Sequence, residues 1–91
     1  MTFKIRLHNH LFQKFPIQQE EQFKSALKEL RDPFPDSKGD KKQVKGAKEP
    51  TYRFRIGDYR VFYQIDTEEK IVYVIEILTA EQAHKKYERF K

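Results

Sequence analysis

The chain contains no cysteine and no tryptophan, and only three glycines. Without thiols it can form no disulfide scaffold, no thiolate nucleophile and no cysteine-ligated zinc site. No apolar run approaches the ~20 residues needed to span a bilayer. The opening stretch Met-Thr-Phe-Lys-Ile-Arg-Leu carries charges where a signal peptide needs an apolar segment. Nor is there a glycine-rich phosphate loop, an HExxH motif or a Ser/His/Asp set. His8 and His10 would share a face of a strand, but no acidic ligand lies near them, so no metal site is expected there. These absences lead to the expectation of a cytoplasmic protein that needs no membrane, metal or small-molecule cofactor.

What is present is charge and aromatic surface. With 91 residues the chain is expected to form a single domain over 1–91. Eight Phe and five Tyr are too many for a disordered chain and can build a compact core despite the high charge. The net charge of +5 is unevenly spread: residues 1–35 carry +2, 36–60 carry +4, 61–83 carry −4 and 84–91 carry +3. Two basic segments flanking an acidic one point either to a polyanionic partner or to a solvated, charge-patterned surface.

Hydrophobic periodicity gives the elements. Phe3, Ile5 and Leu7 alternate with Lys4, Arg6 and His8, the period of a half-buried strand. Phe12 and Phe15 suit a short helical turn. Pro16 and the Glu20-Glu21 pair suit a helix start, and Phe23, Ala26, Leu27 and Leu30 recur at helical spacing, so 17–31 reads as an amphipathic helix stopped by Asp32-Pro33-Phe34-Pro35. Residues 35–50, with five lysines and only Val44 and Ala47 apolar, read as a loop. Strands follow at 52–56 and 59–66, joined at Gly57-Asp58 by a two-residue type II′ turn, and then at 71–78. Thr79 and Gln82 form a capping box for a closing helix whose apolar face is Ala83, Tyr87 and Phe90. The predicted fold is α+β: a small, twisted, antiparallel or partly mixed sheet with an N-terminal helical segment and a C-terminal helix.

The hairpin register has a chemical consequence. A two-residue turn pairs Arg55 with Arg60 and Arg53 with Phe62. One face then presents Tyr52, Phe54, Ile56, Tyr59, Val61 and Tyr63 to a core, and the other presents Arg53, Arg55 and Arg60 with Phe62 between them. Like charges directly opposite each other are destabilising, so the arrangement suggests an anion held between the guanidinium groups. Alternatively, the arginines splay into solvent or pair with acids, Glu76 being the candidate if a three-residue loop follows Asp66. The Phe23–Leu30 stripe reads as core, part of which could receive a partner helix.

The element order and the block Tyr52-Arg53-Phe54-Arg55-Ile56-Gly57-Asp58-Tyr59-Arg60-Val61-Phe62-Tyr63, preceded by Val44-Lys45-Gly46, resemble the RelE/ParE superfamily of type II toxins over nearly the whole chain. The resemblance implies a RelE-like fold, a cognate antitoxin as partner and, in the RelE branch, an endoribonuclease (mRNA interferase) that cuts mRNA on the ribosome; ParE-like members instead inhibit DNA gyrase. It also implies site residues. Arg53 and Arg55 match basic positions of the first hairpin strand, Arg60 matches the arginine after the turn, and Tyr87 matches a C-terminal tyrosine. Thr79-Ala80-Glu81 stands where the family often has a basic residue after the last strand.

Metal-independent RNA cleavage needs a base for the 2′-hydroxyl, charge stabilisation at phosphorus and an acid for the leaving 5′-oxygen. Arg53, Arg55 and Arg60 suit the second task only, because a guanidinium keeps its proton. His84 and Tyr87 are the candidate proton-handling residues, with Lys45, Glu76 and Lys85 as further options; the bland readings are a solvated histidine and a core tyrosine. Lys42, Lys45 and Lys48 of the lysine-rich loop, with Lys85 and Lys86, are expected to track RNA phosphates, or simply to solvate the surface. The leading expectation is hydrolytic cleavage of mRNA and arrest of translation. The alternatives are gyrase inhibition without chemistry, or an antitoxin-binding member that has lost toxicity.

Overall fold

The structure, a computed structural model, describes residues 2–7, 17–35, 39–44 and 48–87. Five strands form one sheet in the order β1-β5-β4-β3-β2: β1 Lys4–Arg6, β2 Lys41–Gln43, β3 Tyr52–Ile56, β4 Tyr59–Asp66 and β5 Ile71–Thr79. β1 runs parallel to β5 and every other pair is antiparallel, so the sheet is mixed, as predicted. Helix α1 spans Ile17–Leu27 and α2 spans Ala80–Tyr87. The helix expected over 17–31 tightens into a 3-10 turn at Lys28–Arg31 before Pro33. Phe12, Phe15, His8, His10 and Phe90 lie outside the described residues.

The two faces of the sheet are unequal. On one, Phe23, Leu27 and Leu30 bury against Phe54, Val61, Tyr63, Val72 and Ile77. Phe23, Leu27 and Leu30 are therefore part of the chain's own core, as the stripe reads in the sequence. Tyr63 reaches through this core and donates its hydroxyl to the Pro33 carbonyl at 2.6 Å. Burying a phenol is tolerable only with such a partner. On the other face the apolar cluster among the described residues is small, Phe62, Leu78 and Ala83 with Val44 against it, and α2 supplies its lid. Most of that face is left to polar and charged side chains.

Residues 35–50 are not all loop. Lys41–Gln43 adds an edge strand to β3, with Lys41 opposite Phe54 and Lys42 opposite Arg53. Lys41 alternates onto the core face, where it is buried, donates Nζ to the Asp32 carbonyl at 2.9 Å and lies over the Phe54 ring. A three-residue, lysine-rich edge strand has no apolar alternation to betray it, and charged edges suit the task of blocking further strand pairing.

The first hairpin has the register read from the sequence, Ile56 opposite Tyr59, Arg55 opposite Arg60 and Arg53 opposite Phe62. Gly57 takes φ +54, the positive value that the first central position of a type II′ turn requires. The second hairpin differs from expectation. Its turn covers four residues, 67–70, with Asp66 opposite Ile71 and the Asp66 carboxylate accepting the N–H groups of Glu68 and Glu69. Phe62 pairs with Glu76 and Tyr63 with Val74, so Ile75 is an extra, exposed residue in a bulge. Glu76 thus faces Phe62 rather than Arg60.

Candidate functional site

Pairing places Lys42, Arg53, Arg55 and Arg60 on the sheet face away from the large core. Strand alternation puts them there, and the hairpin turn fixes Arg55 against Arg60. The bond from the Ala80 N–H to the Asp58 carbonyl, 2.8 Å, ties the start of α2 to the hairpin tip. The capping box holds that start: Gln82 N–H donates to Thr79 Oγ1 at 3.2 Å, and Thr79 N–H to Gln82 Oε1 at 3.1 Å. His84, Lys85 and Lys86 then follow on the exposed surface of α2.

The guanidinium groups do not clasp an empty space between Arg55 and Arg60. Arg55 Nη2 lies 2.9 Å from Asp40 Oδ1. Arg60 Nη1 donates to the carbonyls of Gly57 and Tyr59 at 2.9 Å each. Arg53 Nη2 donates to the Gly39 carbonyl at 2.9 Å. The repulsion expected from the cross-strand arginine pair is relieved by local acceptors, which the sequence could not show because they come from a turn and a loop. Glu76, the acid weighed for Arg60, instead takes Lys86 Nζ on both carboxylate oxygens at 2.7 Å. Phe62, expected to interleave with the arginines as an open aromatic, is buried beneath α2.

Arg53 is the electrostatically strained member. Its Nε is buried and has no hydrogen-bond partner among the described residues. Burial pushes its guanidinium below the ordinary arginine value, and the charges of Arg60 and Arg55 push in the same direction against a weaker pull from Asp40.

The other sequence candidates are placed as follows. Lys42 is exposed on β2 opposite Arg53. Lys48 is exposed just before β3. Lys85 pairs with Glu81 one helical turn back, 3.5 Å apart and well exposed. Lys45 and the Tyr87 side chain lie outside the described residues. Among the described residues no three His, Asp or Glu side chains gather to hold a metal ion, and no helix is long and apolar enough to cross a membrane. Sequence reasoning missed Gly39 and Asp40. The only signal was the Gly39-Asp40 dipeptide itself, a turn mark fourteen or more residues from the arginines it contacts.

Several known proteins similar to this chain carry toxin names. The family model for the ParE toxin of type II toxin–antitoxin systems matches residues 5–84. A Methanocaldococcus jannaschii relative named RelE1 is 32% identical over 89 residues, covering 93% of this chain and 98% of the relative. The archaeal RelE–RelB complex from Pyrococcus horikoshii contains a chain that superposes with a TM-score of 0.61 at 26% identity, over 87% of this chain and 96% of that one. A free-state mutant of E. coli RelE has the same fold, with a TM-score of 0.57 at 19% identity over 98% and 97% of the two chains. On the strength of the match over 5–84 and the relative's full-length identity, the chain belongs to the RelE/ParE superfamily of type II toxin–antitoxin toxins.

Proposed function

We propose that this toxin arrests translation by cutting mRNA without a metal ion, and that a cognate antitoxin protein neutralises it. The observation that carries the reading is the placement of Arg53, Arg55 and Arg60 on one sheet face, where burial and the two neighbouring arginines disfavour the charged form of Arg53. Guanidinium forks match phosphate oxygens, and a cluster of them stabilises charge building on a phosphodiester under attack. In that reaction the 2′-oxygen bonds to phosphorus as its proton passes to a base. The bond to the 5′-oxygen breaks, and that oxygen takes up a proton. The arginines hold the phosphate; His84 and Tyr87 on α2 are the side chains assigned to proton movement. Lys42, Lys48, Lys85 and Lys86, with Lys45, extend the basic surface along the RNA backbone. The antitoxin assignment is supported by family membership and by the RelE–RelB complex of the Pyrococcus relative.

A second reading is gyrase inhibition. It is favoured by the family model, which is that of ParE, and by Glu81 standing just after the last strand where a basic residue is common in the ribonuclease branch. One experiment separates the two. The toxin, purified away from its antitoxin, is added to a cell-free translation reaction and to a gyrase supercoiling reaction. The proposal expects translation to stop with new 5′ ends mapped within coding mRNA, and supercoiling to proceed. Blocked supercoiling with intact mRNA would establish the second reading instead.

A further inference from the structure

Two of the three guanidinium groups are held by consecutive residues of one turn. Gly39, at φ +79, leads the chain into β2 and offers its carbonyl to Arg53. Asp40 then contacts Arg55 twice. Its backbone carbonyl accepts the Arg55 N–H at 2.8 Å, and its carboxylate accepts Arg55 Nη2 at 2.9 Å. A carboxylate and a phosphodiester present the same kind of oxygen acceptors to a guanidinium. The group assigned to grip substrate therefore already carries an anion from its own chain.

We infer that Asp40 is a resident stand-in for substrate phosphate. It holds Arg55 over the sheet face while the site is free of RNA and yields the guanidinium when an RNA phosphodiester arrives. This rests on the ribonuclease reading above. Exposure makes the exchange feasible: the Arg55 and Asp40 side chains are 50% and 34% exposed, and ion pairs so open to water are weak. Arg53 Nη2 and Arg60 Nη1 donate to neutral carbonyls, whereas Arg55 meets the Asp40 carboxylate, so removing that acid changes the charge at the arginine cluster. A second ion pair on this face, Lys86 with Glu76, has a more buried carboxylate and bridges α2 to β5, which suits a latch rather than a displaceable ligand. Asp40 acts through Arg55 and is thus a positioning residue.

Asp40→Asn keeps an oxygen to accept the Arg55 N–H and removes only the charge. Binding of a non-cleavable 2′-O-methyl RNA oligonucleotide is measured by fluorescence anisotropy across a KCl series, for wild type, D40N, D40E, R55A and D40N/R55A, with R60A as control. The inference expects D40N to bind about two- to five-fold tighter at low salt, and its log Kd to rise with log salt more steeply by about 0.7, one extra counterion released from a single strand. D40E should behave as wild type, and the gain should vanish in the R55A background. Equal or weaker binding by D40N, or an equal gain without Arg55, would overturn it. Failure of the ribonuclease reading looks different: wild type and R60A would then bind the oligonucleotide alike, which overturns both.

Discussion

Arg53 has a half-buried guanidinium, an Nε without a hydrogen-bond partner among the described residues, and two like charges nearby on the same face. Its pKa is lowered, and for a base that shift means the charged form is disfavoured by folding. The penalty applies at every pH below the folded pKa and is relieved only as pH rises through it, well above neutrality, so holding the Arg53 charge opposes folding throughout the working range. Arg60 differs: its Nη1 donates to two carbonyls of its own hairpin turn. Arg60→Ala should therefore change stability by less than about 1 kcal/mol, while growth arrest on expression without antitoxin is lost. A thermal melt alongside a growth curve checks both, and continued arrest by folded R60A would remove Arg60 from the site.

The elements show what a sequence can and cannot reveal. The first hairpin was legible because a two-residue turn with glycine at its first central position fixes the register, and the register fixes which side chains share a face. The capping box at Thr79 was equally legible, being a local pattern over three residues. The bulge at Ile75 was not, because an inserted residue in a strand rich in β-branched residues leaves the apolar pattern almost unchanged. Edge strand β2 and the acceptors at Gly39 and Asp40 were hidden for a related reason. Polar contacts fourteen and fifteen residues apart depend on how a loop folds back, which periodicity does not encode. The cap also gives a prediction. Helix α2 rests on a small apolar cluster, so its anchoring depends heavily on its first turn. Thr79→Ala should lower stability by about 1 kcal/mol, roughly 5 °C in Tm for a domain of this size, and should speed amide hydrogen exchange in α2 ahead of β3 and β4. Uniform exchange across both would show that α2 is held otherwise.

At the scale of the whole molecule, the fold divides labour between the two faces of one sheet. The face covered by α1 holds the large core, with Leu30, Val61, Tyr63 and Val72 fully buried. That core supplies the stability which lets the opposite face hold Arg53 partly buried beside Arg55 and Arg60. The sequence disclosed this division through alternation in β3 and β4, and with it the identity of the arginines; it did not disclose their partners. The central claim is that the arginine face is maintained for binding RNA phosphate at the expense of stability. Arg53→Met tests it most directly, because methionine fills similar space without charge or hydrogen-bond demand. Melting temperature and affinity for a 2′-O-methyl RNA oligonucleotide are measured on the same purified protein. The account predicts a Tm equal to or above that of wild type together with RNA affinity reduced about ten-fold or more. A Tm lower by several degrees with unchanged RNA affinity would contradict it, making Arg53 a structural residue and the basic face a solvated surface.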